Sequence, residues 1–224
     1  GLARATGDII GYLNSDDQLL DGTLHFVVEQ LQNSPALWLS GAGIYTYTDG
    51  AVTQHTPKTP PAYKPQIIIR PWAADQPSTF WRRACFERYG NFNETLHFTL
   101  DTEFMLRLLL NDCRPLLTAR ALSNALIHDD CKTAQANTSD DKPFSQERYR
   151  YGDYMGEYLT AEEKQVMCVW RWLRQQGNPL YPQQHRPTIS DWGQALRKPT
   201  MTAFETTNAL AQIAGLRQAH KETT

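Results

Sequence analysis

The chain has 224 residues, enough to enclose one compact domain or a domain with an appendage, and too many for a disulfide-stapled miniprotein. Hydrophobic residues at 41% and aromatics at 11% supply a core and argue against wholesale disorder, while a formal net charge of −2 offers no global field to collect nucleic acid or anionic lipid. No long apolar run and no charged-then-apolar leader occur, so the expectation is a cytoplasmic protein without a transmembrane segment. Cys85, Cys113, Cys131 and Cys168 are widely spaced with no CxxC pair, which reads as reduced thiols.

Gly1 to Gly7 reads as the end of a helix, with Ala3, Arg4 and Ala5 as helix formers and Gly7 as a left-handed stop, so an N-terminal part is expected upstream. Ile9 to Leu13 is a short apolar run expected as a buried strand, and it ends abruptly in Asn14-Ser15-Asp16-Asp17. Leu24, Val27, Val28 and Leu31 follow helical spacing, which predicts a helix over Gly22 to Gln32, barred by Pro35. Trp38 to Tyr47 and Ala51 to His55 flank Thr48-Asp49-Gly50 and predict a hairpin. Thr56 to Pro65 holds four prolines and reads as loop.

Gln66 to Trp72 and Ser78 to Trp81 are expected as strands, and Arg83 to Tyr89 as a short helix stopped by Gly90. Phe104, Met105, Leu108 and Leu109 share one face of a predicted helix over Asp101 to Asn111, with Asp101 as its N-cap. Leu116 to His128 supplies another strand, and Asp129 to Lys142 is polar loop. Helical patterns follow at Phe144 to Leu159, Ala161 to Gln176 and Ser190 to His220, the second with Val166, Val169, Trp170 and Leu173 beside Arg171 and Arg174. That stripe suits packing on the domain, the commoner case, or a peripheral membrane contact. The expected architecture is α/β over residues 1–140, a mixed, mostly parallel sheet flanked by helices, with a helical C-terminal extension over 141–224.

Open α/β sheets place ligands where strands end, and that is where Asn14-Ser15-Asp16-Asp17 lies. Two adjacent carboxylates repel unless a cation joins them, and oxygen ligands of this kind favour Mg²⁺ or Mn²⁺. Asn, Ser and Asp also dominate turns for purely local reasons, so a plain turn stands beside the metal reading.

The run Gly1 to Asp17 resembles the segment around the metal-binding DxD motif of family-two glycosyltransferases, inverting nucleotide-sugar enzymes of the glycosyltransferase A fold. The resemblance continues through Gln76-Pro77-Ser78-Thr79-Phe80-Trp81-Arg82, Gly90-Asn91-Phe92-Asn93-Glu94-Thr95-Leu96 and Asp101-Thr102-Glu103-Phe104-Met105-Leu106-Arg107, covering residues 1–135. It implies that Asn14-Ser15-Asp16 stands for DxD, with Asn14 and Asp16 at the donor and Asp16 on the metal. Asp101 is then the catalytic base for an acceptor hydroxyl. His128 is implied as a metal or diphosphate contact, with Lys132 adding positive charge. Gln76, Ser78, Thr79 and Trp81 are implied to line the acceptor side, although core packing suits Trp81 or Phe80 equally. Glu103 should form no dyad with Asp101, because positions i and i+2 diverge on a helix, and Arg107 could aid a phosphate or balance Glu103 through an i, i+4 pair, the pair being the favoured reading.

The implied function is metal-dependent sugar transfer from a nucleotide-sugar donor to a glycan or other hydroxyl acceptor, of the kind used in polysaccharide biosynthesis. The family's first nucleotide-binding strand and helix would precede Gly1, so this chain alone is expected to turn over little or no donor, and its uncovered sheet edge to favour self-association. Two rivals remain: a metal-dependent nucleotidyltransferase, for which no glycine-rich phosphate loop is found, and a non-catalytic carbohydrate-binding or assembly module.

Overall fold

A computed structural model describes residues 1–69, 72, 74–128, 131, 144, 146, 147, 154–164 and 167. The chain divides into two units, Gly1–Met155 and Gly156–Thr224. In the first, β1 (Ile9–Gly11), β2 (Asp17–Leu19), β3 (Trp38–Tyr47), β4 (Val52–His55), β5 (Thr79–Arg82) and β6 (Leu116–Ile127) form one sheet in the order β1-β5-β3-β6-β2, with β4 also on β3. The helices are α1 (Thr23–Gln32), α2 (Lys64–Ile69), α3 (Arg83–Tyr89) and α4 (Leu100–Leu110). This is mixed α/β content, as expected. The sheet is not mostly parallel, however: among the described strands β3 and β6 are the parallel pair, and the other pairings are antiparallel.

The reason lies in the connections. A parallel pair needs a long crossover, whereas a tight turn reverses the chain at once. The hairpin after β3 supplies such a turn, with Gly50 at φ 86° and the Asp49 carboxylate accepting the Ala51 N–H at 2.9 Å. Only after α2, β5, α3 and α4 does the chain return along β3 as β6. The pairings nevertheless set β1, β3 and β6 running one way and β2, β4 and β5 the other. The carboxyl ends of β1 and β6 and the starts of β2 and β5 therefore share one sheet edge.

Successive residues of β5 face opposite layers. Phe80 joins Val27, Leu31, Leu39 and Leu122 in the core under α1, while Trp81 joins Phe86, Phe92 and Phe104, where Phe86 and Phe104 stack at 4.8 Å and Trp81 meets the rings edgewise. The apolar stripe of α1 differs from the expected one. Its sheet-facing line is Thr23, Val27 and Leu31, with the Thr23 hydroxyl donating to the Leu122 carbonyl at 2.7 Å, whereas Leu24 and Val28 are exposed. Cys85 and Cys113 are buried free thiols.

Three further expectations are corrected. Within the strand expected over Gln66 to Trp72, residues 66–69 are helix: α2 starts at Lys64 with Pro65 in its first turn, where a missing N–H costs nothing, and Ile67 and Ile68 are buried as α2 packs on α4. Burial overrode the strand preference of three consecutive isoleucines. Gly7 ends no helix, because Leu2–Arg4 is a single 3-10 turn and the Arg83 guanidinium holds the carbonyls of Ala5 and Gly7 at 2.8 and 2.6 Å. Asp101 is not the N-cap of α4; Thr99 is, and Asp101 sits in the first turn. In the 144–159 stretch, Phe144, Gln146, Glu147 and Tyr154 have helical backbone and Met155–Tyr158 is a 3-10 turn. The stripe from Val166 to Arg174 and the helix expected over Ser190 to His220 lie outside the described residues.

The two faces of α1 give a direct test. Leu31→Ala should cost about 2–5 kcal/mol in urea unfolding, and Leu24→Ala about 0.5 kcal/mol or less, because only the first removes buried methyl groups. Equal losses would mean that the helix faces are misassigned.

Candidate functional site

The sheet edge where β1 and β6 end carries the acidic corner. After Gly11 the chain turns through Tyr12 to Asp16, with the Asp17 N–H donating to the Asn14 carbonyl at 3.3 Å. The exposed Asn14 amide bridges two side chains. Its Nδ2 donates to Asp17 Oδ2 at 2.9 Å and to Gln76 Oε1 at 3.2 Å, while Gln76 Nε2 donates to the Tyr12 carbonyl. Gln76 thus ties the turn before β5 to the turn after β1. Asp16 points elsewhere: its Oδ2 lies 3.4 Å from His128 Nε2, at the end of β6. The structure therefore brings together the two residues expected at the metal. Lys132 lies outside the described residues. No group of three His, Cys, Asp or Glu side chains arranged to hold a metal occurs among the described residues.

Asp17 opens β2 and stands in one cross-strand row with Ala125 and Tyr45. Burial pushes its carboxyl above the ordinary aspartate range; the Asn14 hydrogen bond opposes that shift, and the charges of Asp16 and Asp75 reinforce it. Asp75 is a buried carboxylate that the sequence did not single out. It accepts the Tyr45 hydroxyl at 2.5 Å and the Ser123 hydroxyl at 2.9 Å, and Ser123 lies 2.6 Å from the Ser78 hydroxyl. Burial and the Asp75 carboxylate both drive the Tyr45 phenol up, so it stays a donor. Gly43 makes room for this, since a Cβ there would overlap Asp75 Oδ2 and Cγ.

Asp101 lies in the first turn of α4, half-buried, with Oδ1 accepting the Thr102 N–H at 2.7 Å. Its relation to the acidic corner runs through Tyr12. Burial raises the Tyr12 phenol, and the charges of Asp101 and Asp17 raise it further, so both carboxylates act on one exposed ring. Tyr12 was also missed; its signal was an aromatic side chain placed between a strand and an acidic turn. Glu103 points away from Asp101, pairing with Arg107 at 2.9 Å as expected, and Arg107 also donates to the carbonyls of Tyr89 and Asn91.

Of the residues expected on the acceptor side, Gln76 is the one near solvent. Ser78 and Thr79 are fully buried, Ser78 donating to the Ala42 carbonyl at 2.7 Å and Thr79 to the Asp75 carbonyl at 2.7 Å. Trp81 is fully buried in the aromatic cluster, and its Nε1 has no hydrogen-bond partner among the described residues. In this conformation the three support the turn that carries Gln76. A small cavity of about 210 Å³ lies elsewhere, lined by Leu2, Ile10, Arg83, Phe86 and Asn91 among others, and it includes no residue of the acidic corner.

No protein-family model matches the chain, and no curated protein matches it at a significant level.

The approach to α4 holds a further buried carboxylate. Glu147 accepts the N–H groups of His97, Phe98 and Thr99 at 2.6, 2.9 and 2.9 Å and the Thr99 hydroxyl at 2.8 Å. Burial alone would raise its pKa; these four donors outweigh it and hold the carboxyl below the usual glutamate range.

Two outcomes follow from these carboxylates. Gly43→Ala should force Asp75 from its seat and cost about 1–3 kcal/mol in urea unfolding. An unchanged midpoint would disprove the close approach. For Glu147, the folded pKa lies below the unfolded one, so its stabilisation is complete above the unfolded value and lost as pH falls through the folded value. The stability gap between the native protein and Glu147→Gln should therefore shrink on acidification below the ordinary glutamate range, measured as unfolding midpoints across pH. A constant gap would contradict the depressed pKa.

Proposed function

We propose that the protein is an inverting glycosyltransferase that moves a sugar from a nucleotide-sugar donor to an acceptor hydroxyl. The observation that carries this reading is the meeting of Asp16 and His128, 3.4 Å apart where β6 ends; the charge of Asp101, like that of Asp17, reaches Tyr12 in the same turn and raises its phenol. Inversion needs this division of labour, with charge stabilised on the leaving group's side and a carboxylate on the side of attack.

Asp16 Oδ2 and His128 Nε2 are near enough to share one ion, and a carboxylate with an imidazole suits Mn²⁺ and admits Mg²⁺. Two protein donors leave positions for diphosphate oxygens, and when bound the ion would neutralise charge on the departing nucleoside diphosphate. Asn14, held between Asp17 and Gln76, fixes the loop from which Asp16 projects. Asp101, oriented by the Thr102 N–H, accepts the proton of the attacking hydroxyl. Tyr12, partly exposed and leaning on Phe92 at 6.1 Å, offers an aromatic face to a sugar ring beside that base.

The test separates the two roles in the intact protein. Calorimetry with Mn²⁺ and a panel of nucleoside diphosphates should find binding weakened at least about tenfold by Asp16→Ala and changed less than about threefold by Asp101→Asn. Turnover of the matching nucleotide sugar should fall at least about a hundredfold in Asp101→Asn. Equal losses of nucleotide affinity in both variants, or a native protein that binds no nucleoside diphosphate with Mn²⁺, would refute the reading.

A further inference from the structure

Three successive backbone N–H groups, those of His97, Phe98 and Thr99, converge on one side chain that lies about fifty residues away: the Glu147 carboxylate, with separations of 50, 49 and 48 residues. The Thr99 hydroxyl joins them. Thr99 occupies the N-cap position of α4, yet it makes no side-chain cap of its own; its hydroxyl is turned toward Glu147, to which it donates. The first helical hydrogen bond, from the Glu103 N–H to the Thr99 carbonyl at 2.8 Å, starts from the same residue. The entry of α4 is therefore set by a distant carboxylate rather than by its own cap. Phe144 reinforces the attachment, its ring meeting Phe98 edgewise at 5.5 Å.

Asp101 is two residues beyond Thr99 on this backbone. We propose that Glu147 is a positioning residue for Asp101: by gathering the amides of residues 97–99 it fixes the turn from which the base faces the acceptor. The catalytic part of the proposal rests on the glycosyltransferase reading; the structural part does not. Glu147 itself touches no substrate. It is buried, and every oxygen the structure gives it is engaged with the loop before α4. Its removal leaves three N–H groups at a poorly solvated site without acceptors, so the loop must move to find water. A shift of about 1 Å in a catalytic group can cost about a hundredfold in rate. A helix start under this control lets residues outside the sheet decide whether the base is in place, while the acidic corner, held by Gln76, stays as it is.

The experiment compares the full-length native protein with Glu147→Gln, Glu147→Asp and Glu147→Ala. Amide hydrogen exchange should accelerate at least about tenfold at residues 97–99 and 102 in Glu147→Ala while β3 amides keep their protection. For sugar transfer, kcat per folded molecule should fall about tenfold or more, with donor KM and Mn²⁺-dependent nucleotide affinity within about threefold of native. Glu147→Gln is nearly isosteric and serves if the alanine variant fails to fold; it should show the same split in smaller measure, and Glu147→Asp, which keeps the charge, should recover more rate than either. Unchanged exchange at 97–99, exchange that rises everywhere at once, or kcat unchanged per folded molecule would overturn the proposal, as would equal losses in kcat and nucleotide affinity. If the native protein transfers sugar from no nucleotide donor, the functional reading fails by itself, and the exchange data alone decide whether Glu147 sets this turn.

Discussion

The Asp75 carboxylate, seated over Gly43 between β3 and β6, is the contact on which the site's geometry rests. An ionisable group so far from water persists only when its lone pairs are filled, and here the hydroxyls of Tyr45 and Ser123 fill them. Those two donors belong to the parallel pair at the centre of the sheet, so Asp75 couples two strands that meet only through a long crossover. The next residue is Gln76, which reaches back to Tyr12 and Asn14. A buried anchor thereby holds an exposed bridge, and the exposed bridge holds the acidic turn. Ser78 and Thr79 extend the anchor inward.

This arrangement assigns rigidity and adjustability to different places. The acidic corner is fixed by the sheet: Asp17 is paired to Ala125, and Asp16 leans on a residue at the end of the neighbouring strand. Asp101 comes instead from a helix whose start hangs on Glu147. The two halves of the candidate site meet around Tyr12, where desolvation and two carboxylates act on one phenol. The negative charge of both carboxylates holds the proton on that phenol, and it is a setting that would favour a bound cation.

Much of the local structure was legible before folding. The Asp49-Gly50 hairpin and the stop at Gly90 follow from turn chemistry that acts over two to four residues, and both occur, whereas the strand expected over Ile9 to Leu13 ends at Gly11 and leaves Tyr12 and Leu13 exposed. Legibility failed where burial outvoted propensity. Gln66 to Ile69 carries strand-forming isoleucines but packs as a helix on α4, and Leu24 and Val28 fit a helical stripe but face water because Thr23 takes the place against β6. The aromatic at Trp81 could serve a sugar or a core by sequence; three phenylalanines from α3, the following loop and α4 claim it for the core.

By itself, the sequence determined the kind and approximate limits of most elements, because periodicity and turn preferences are local properties of a chain. Tertiary structure decided which side chains meet. Asp16 finds His128 across 112 residues and Glu147 finds His97 across 50, and neither spacing has any local signature. It also decided strand direction, since a hairpin and a crossover differ in what packs between them rather than in the strands they join. Asp75 belongs wholly to this second category: an ordinary aspartate in a loop until Gly43, Tyr45 and Ser123 close around it and make its burial affordable.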